Sequence, residues 1–136
     1  MKIVSIILRL LTAGILLQTL FFKFTAAPES VYIFSQLGLE PYGRIGTGIA
    51  ELIAGILLLT PRTVFFGALA SLAIISGAIV SHLAVLGIVV QNDGGLLFTL
   101  AIIVFAGSAA LAYLYKETGI MILEKWKESK KPKTTV

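Results

Sequence analysis

The sequence predicts an all-α integral membrane protein, an antiparallel four-helix bundle with a short interfacial helix between helices one and two. Three observations carry that prediction. The 136 residues are 57% hydrophobic and only 13% charged, with a mean hydropathy of +0.98, against about 45–50% apolar and about 25% charged in soluble domains. A fold this small leaves much of its surface exposed, so water could not accept so much apolar side chain. Four apolar runs are long enough to cross about 30 Å of hydrocarbon as helices. None alternates polar with apolar residues as a barrel strand would. The composition excludes a soluble enzyme and a disordered chain, and the absence of cysteine excludes a disulfide-stapled domain.

The elements follow in chain order. Helix one is expected over Ile3 to Phe22, interrupted only by Arg9 and Gln18. The connection from Lys23 to Pro41 contains PESVYIFSQLG, which opens on Pro28 and Glu29, stops at Gly38 and spaces Val31, Phe34 and Leu37 helically. It reads as a short helix lying over one mouth of the bundle. Helix two is expected from about Tyr42 to Thr60, with Pro41 suited to its first turn. Helix three is expected over Val64 to Val90, and helix four over Gly95 to Tyr115 after the turn residues QNDGG. The short links Pro61–Arg62–Thr63 and QNDGG make sequential helices antiparallel neighbours.

Lysine and arginine set the orientation. Lys2, Arg62, Lys116, Lys125, Lys127, Lys130, Lys131 and Lys133 fall on one side, and Lys23 and Arg44 on the other. Both termini are therefore expected in the cytoplasm of a bacterial inner membrane. The transmembrane domain is read as 1–116 and a basic, amphipathic cytoplasmic tail as 117–136, its segment IMILEKWKE an interfacial helix end before a frayed terminus. Lys2 and the apolar run towards FTAA have the outline of a cleaved leader. The run is long for one and contains Arg9 and Gln18, so it is expected to stay as the first span. The net charge of +4 marks topology and attraction to anionic lipid. It does not mark nucleic-acid binding, because the basic residues trail a span and form no recognised binding motif.

Ionisable groups inside a bilayer are expensive, so each is a candidate for function. Here they are Arg9, Glu51 and His82, with Gln18 beside them and Lys23, Arg44, Asn92 and Asp93 near the outer boundary. At 1.5 Å per residue, Glu51 lies about 9 Å and His82 about 12 Å below that boundary, on adjacent antiparallel helices. These depths allow a contact between them. Arg44, Gly48, Glu51 and Gly55 recur at i, i+4, i+7 and i+11, an inward stripe. Small residues Ala73, Gly77 and Ser81 on helix three, and Ala106 and Ala110 on helix four, are expected to let helices approach closely. Two readings of Glu51 and His82 stay open. They lock helix register by bonding each other or Gln18, or they line a polar cavity where the carboxylate binds a cation or proton and the imidazole relays one. Arg9 reads as a snorkelling anchor or an inward group. It lies about 40° from Lys23 and about 180° from Gln18 on the wheel, so helix one cannot aim all three inward.

The chain contains no Walker motif, HExxH or nucleophile elbow, and without cysteine no thiol relay or iron–sulfur ligation. Its motif set nevertheless resembles the DoxX family of membrane proteins over about residues 5 to 115. The resemblance rests on Arg9 in ILRLL, Gly14, Lys23, the LGLEP turn, AELIAGILLLTPRT with Glu51, Gly55 and Arg62, GALASL, His82 in VSHL, and the NDGG turn. It implies a four-helix bacterial inner-membrane protein. The family takes its name from a thiosulfate:quinone oxidoreductase subunit, and other members are associated with redox or oxidative-stress complexes. By that resemblance Arg9, Lys23, Glu51 and His82 match recurring polar positions, a quinone is the implied cofactor, and a soluble redox partner or an oligomer is implied beside the lipid bilayer. The competing expectation is a non-enzymatic protein that binds a small molecule or lipid, or assists assembly. A transporter fits less well, since no inverted repeat or broken helix pair is present.

Overall fold

The computed structural model describes residues 2–132. Lys133, counted above among the tail's positive charges, lies outside the described residues. The chain forms α1 (Lys2–Phe24), α2 (Pro28–Gln36), α3 (Tyr42–Leu59), α4 (Val64–Ser81), α5 (Leu96–Leu114) and α6 (Lys116–Ser129). A π-helical turn, His82–Leu86, continues α4. Four stretches among the described residues are long and apolar enough to cross a membrane: Lys2–Phe24, Tyr42–Leu59, Val64–Leu86 and Leu96–Leu114. The chain is thus a multi-pass membrane protein.

The four spans close a ring in which α1 and α4 each pack against both α3 and α5. Side chains at the helix ends fix the antiparallel sense. Arg9, early in α1, donates to carbonyls at the end of α3. Ser5 Oγ, earlier still, lies 2.9 Å from the Tyr115 hydroxyl just past α5. One end of the bundle therefore carries the start of α1 and α6, and the other, the lid end, carries α2 and the 87–95 loop.

The packing is that of a protein in lipid. Ile7, Leu10, Phe21, Ile53 and Phe105 face outward, a surface that water would not tolerate at this extent. Small residues draw the helices together inside, because in lipid contact and not hydrophobicity drives helix association. These are Gly67, Ala68 and Ser71 on α4 and Ala101, Gly107 and Ser108 on α5. Ala73 and Ala106, expected in that role, face outward instead, and Gly77 lies on the wall of an internal cavity. Both helices are apolar all round, so periodicity could not choose the buried face. At Gly67 the α3–α4 hairpin is tightest: a Cβ there would lie 2.7 Å from the Leu58 amide nitrogen.

One element departs from expectation. The third span does not run helically to Val90. Gly87 breaks it with φ +75°, and residues 88–90 are non-helical. The tail segment forms a continuous helix to Ser129, seated where Gly119 packs against Phe65 at the start of α4. By contrast α2 ends as the sequence suggests, on Gly38 at φ +70°. Leu39 N–H bonds the Phe34 carbonyl (2.8 Å) and Gly38 N–H that of Ser35 (3.1 Å), the double closure that favours glycine there.

Candidate functional site

A cavity of about 500 Å³ occupies the lid end of the ring, beneath α2. That is a volume typical of small-molecule sites. Its wall is mostly apolar: Ile15 and Leu16 of α1, Ile33, Phe34 and Leu37 of α2, Ile74, Ile75 and Ala78 of α4, and Leu97 and Leu100 of α5. Polar groups interrupt it at Thr19, Lys23, Ser30, Thr47, Glu51, Ser81 and His82.

Glu51 faces inward because Gly48, Ala54 and Gly55 share its buried face of α3. Its partner is Lys23, whose Nζ lies 3.0 Å from Oε2, with only 14% and 7% of the two side chains exposed. Helical side chains lean towards their own N-terminus. Lys23 therefore bends back from the end of α1 over Thr19, one turn earlier. Thr19 Oγ1 lies 2.9 Å from the same carboxylate oxygen and 2.8 Å from the Leu16 carbonyl. Its one proton favours the charged acceptor. The cluster is electrically neutral, and Oε1 of Glu51 carries no hydrogen bond among the described residues.

His82 stands across the cavity on the π-helical turn. Its Nδ1 is 2.8 Å from the Gly87 carbonyl, and its ring meets the Phe98 ring edge-on at 5.6 Å between centroids. Gly87 in turn closes the π turn, its N–H bonding the His82 carbonyl at 2.7 Å. The Glu51–His82 bond that the depths allow is absent among the described residues: both line one cavity, but each has its own partner. Where the helix ends decides this. The His82 backbone still follows α4, its N–H on the Ala78 carbonyl, but the Gly87 carbonyl above it holds the ring.

The remaining candidates lie outside the cavity wall. Arg44 is buried (6% exposed) but turns away, its Nε 2.9 and 3.0 Å from the two Glu40 oxygens and its Nη1 donating to the Lys23 carbonyl. Arg9 donates from Nε to the Leu58 carbonyl (2.9 Å) and from Nη2 to that of Leu59 (2.7 Å). Both arginines cap helix ends, whose last carbonyls lack partners within the helix. Gln18 is exposed, on an outer groove between α1 and α5. The wheel position opposite Arg9 and Lys23 accounts for that.

Sequence reading missed Thr19, Glu40, Gly87 and Phe98. Thr19 was findable, sitting four residues before Lys23 on one helical face. Gly87 was findable as a helix stop. Glu40 was findable as the acidic residue four before Arg44, whereas nothing local distinguishes Phe98. Asp93, at the loop over His82, accepts from the backbone N–H of Val90 (3.0 Å), Gly95 (2.8 Å) and Leu97 (3.2 Å). Burial alone would raise its carboxyl, but these three donors hold it below the usual carboxylate value. It organises the turn into α5.

Comparison with protein-family models, with curated proteins and with solved structures finds no match for this chain.

Proposed function

We propose that this protein holds a neutral amphipathic molecule in the cavity beneath α2 and serves as a DoxX-like, quinone-linked subunit of the bacterial inner membrane. One observation carries the reading: a largely apolar cavity of about 500 Å³ whose only buried carboxylate, among the described residues, is already neutralised by Lys23. A cation would have to displace the Lys23 ammonium, and an anion would meet Glu51. A neutral head with hydrogen-bonding oxygens meets neither obstacle. The apolar wall suits a ring or chain. Because the chain has no cysteine, electrons would travel on the ligand or through a soluble redox partner. Arg9 and Arg44 are assigned to holding the bundle, and Lys23, Glu51 and His82 to the ligand. The excess of lysine and arginine on the terminal side supports cytoplasmic termini.

The test uses the detergent-purified full chain. Solvent extraction and mass spectrometry should recover a menaquinone- or ubiquinone-type molecule, and added quinone or its reduced quinol should bind saturably, more weakly in Glu51→Gln. Absence of saturable binding overturns the proposal. The second reading, a binding or assembly protein without electron transfer, draws on the same neutral cluster. It predicts ligand-dependent stabilisation with no reduction of an artificial acceptor. Single cysteines placed in α6 and in the 87–95 loop report orientation through a membrane-impermeant maleimide.

A further inference from the structure

His82 is the cavity group whose hydrogen-bonding sense the backbone fixes. The Gly87 carbonyl can only accept, so the 2.8 Å contact requires the proton on Nδ1. A neutral imidazole has one N–H, and Nε2 is left as a bare acceptor. The arrangement is braced twice, by the 2.7 Å bond that closes the π turn and by Phe98 against the ring. Nε2 makes no hydrogen bond among the described residues, yet it is not sealed. The only fully enclosed side-chain polar atoms without partners there are Ser71 Oγ and Ser108 Oγ. With His82 just 5% exposed and lining the cavity, the space that Nε2 meets is the cavity itself. π-Helical turns recur at functional positions, and here the turn supplies the carbonyl that sets the tautomer.

We propose that the cavity selects a neutral ligand whose head donates a hydroxyl proton, a phenol or quinol, and that Nε2 of His82 accepts it. The inference rests on the binding function proposed above. Across the cavity the Lys23 ammonium keeps protons beyond the one engaged by Glu51, so a second ligand oxygen finds a donor there. A quinone or ether, offering acceptors alone, leaves Nε2 unpaired. Sites built around a ligand hydroxyl reject the analogue lacking it much more strongly than a pocket rejects one missing methylene.

The experiment titrates the full chain, without a polyhistidine tag, in lipid nanodiscs with para-nonylphenol and with its methyl ether. The two share a body and differ in the donor. The phenol should bind about tenfold more tightly or better, and His82→Phe should bring the pair within about twofold. His82 is the chain's single histidine, so NMR of isotope-labelled imidazole nitrogens reports this ring alone. Nδ1 should be protonated and Nε2 bare in the free protein, and Nε2 should shift with the phenol and not with the ether. The wild-type ratio and spectrum stand even if the variant misfolds. Equal, saturable binding of both probes overturns the hydroxyl reading and leaves the cavity's binding role intact, whereas binding of neither overturns both. A proton on Nε2 in the free protein also overturns it. So does a preference lost in Glu51→Gln but kept in His82→Phe.

Discussion

Breaking the Lys23–Glu51 pair from either side should have unequal costs. Removing one partner of a buried ion pair costs about 3–5 kcal/mol, whereas removing both is often close to neutral. With 14% and 7% of the side chains exposed at 3.0 Å separation, this pair falls in the buried class. Its two ends differ in depth. Lys23 is in the last turn of α1 and, once released, can lift its ammonium towards the interface. Glu51 is nine residues into α3, about 14 Å along the axis, with only Thr19 to solvate it. Glu51→Gln should therefore cost about 3 kcal/mol and Lys23→Met about 5 kcal/mol. The double variant should lose no more than about 1–2 kcal/mol, a strong positive coupling. Reversible unfolding in mixed micelles, followed by circular dichroism, measures all four corners of the cycle. Wild-type stability of Glu51→Gln, or simple addition in the double variant, would refute the reasoning and remove the basis for a neutral ligand.

Other outcomes can be checked in the same assay. Arg9→Ala removes two charge-assisted bonds to the end of α3 and should cost about 1.5–3 kcal/mol; Arg9→Lys should fall between, since it lacks the fork that spans both carbonyls. Gly67→Ala drives a methyl against backbone atoms of Leu57 and Leu58 and should cost about 1–3 kcal/mol, measured as a lower unfolding midpoint. Asp93, held below its usual carboxylate range, contributes stability that is present above the ordinary aspartate value and lost as pH falls through its own. The gap between wild type and Asp93→Asn should therefore be level at neutral pH and narrow below about pH 4; a gap that widens on acidification would contradict the turn's geometry.

Much of the bundle was legible because bilayer thickness sets span length and short links force antiparallel neighbours. The stripe through Arg44, Gly48, Glu51 and Gly55 was legible for a related reason: its polar and small members are distinct against large apolar residues. α4 and α5 offered no such contrast, and their buried faces went to Gly67, Ala68, Ser71, Gly107 and Ser108 unannounced. At the site, depth counting put Glu51 and His82 at one level correctly enough to share a cavity, but not to touch. It assumed a regular helix to Val90, and Gly87 ended that regularity. Gln18 against Thr19 shows how narrow the margin is: one residue is about 100° of rotation, the difference between facing lipid and facing a carboxylate. The reach of Lys23 could not be read from its boundary position, because its long stem leans inward.

Arg9 and Arg44 fasten opposite ends of the same helix pair, and the groups they grip on the opposing helix are main-chain carbonyls, those of Leu58, Leu59 and Lys23. A carbonyl is the same in every residue type. Sequence drift at Leu58 or Leu59 can alter local packing without dissolving the joint, so the selective burden of keeping α1 and α3 in register falls on the arginines. In diverging descendants of this chain, the two guanidinium positions should outlast Leu58 and Leu59, whereas Lys23 is kept in addition by its pairing with Glu51.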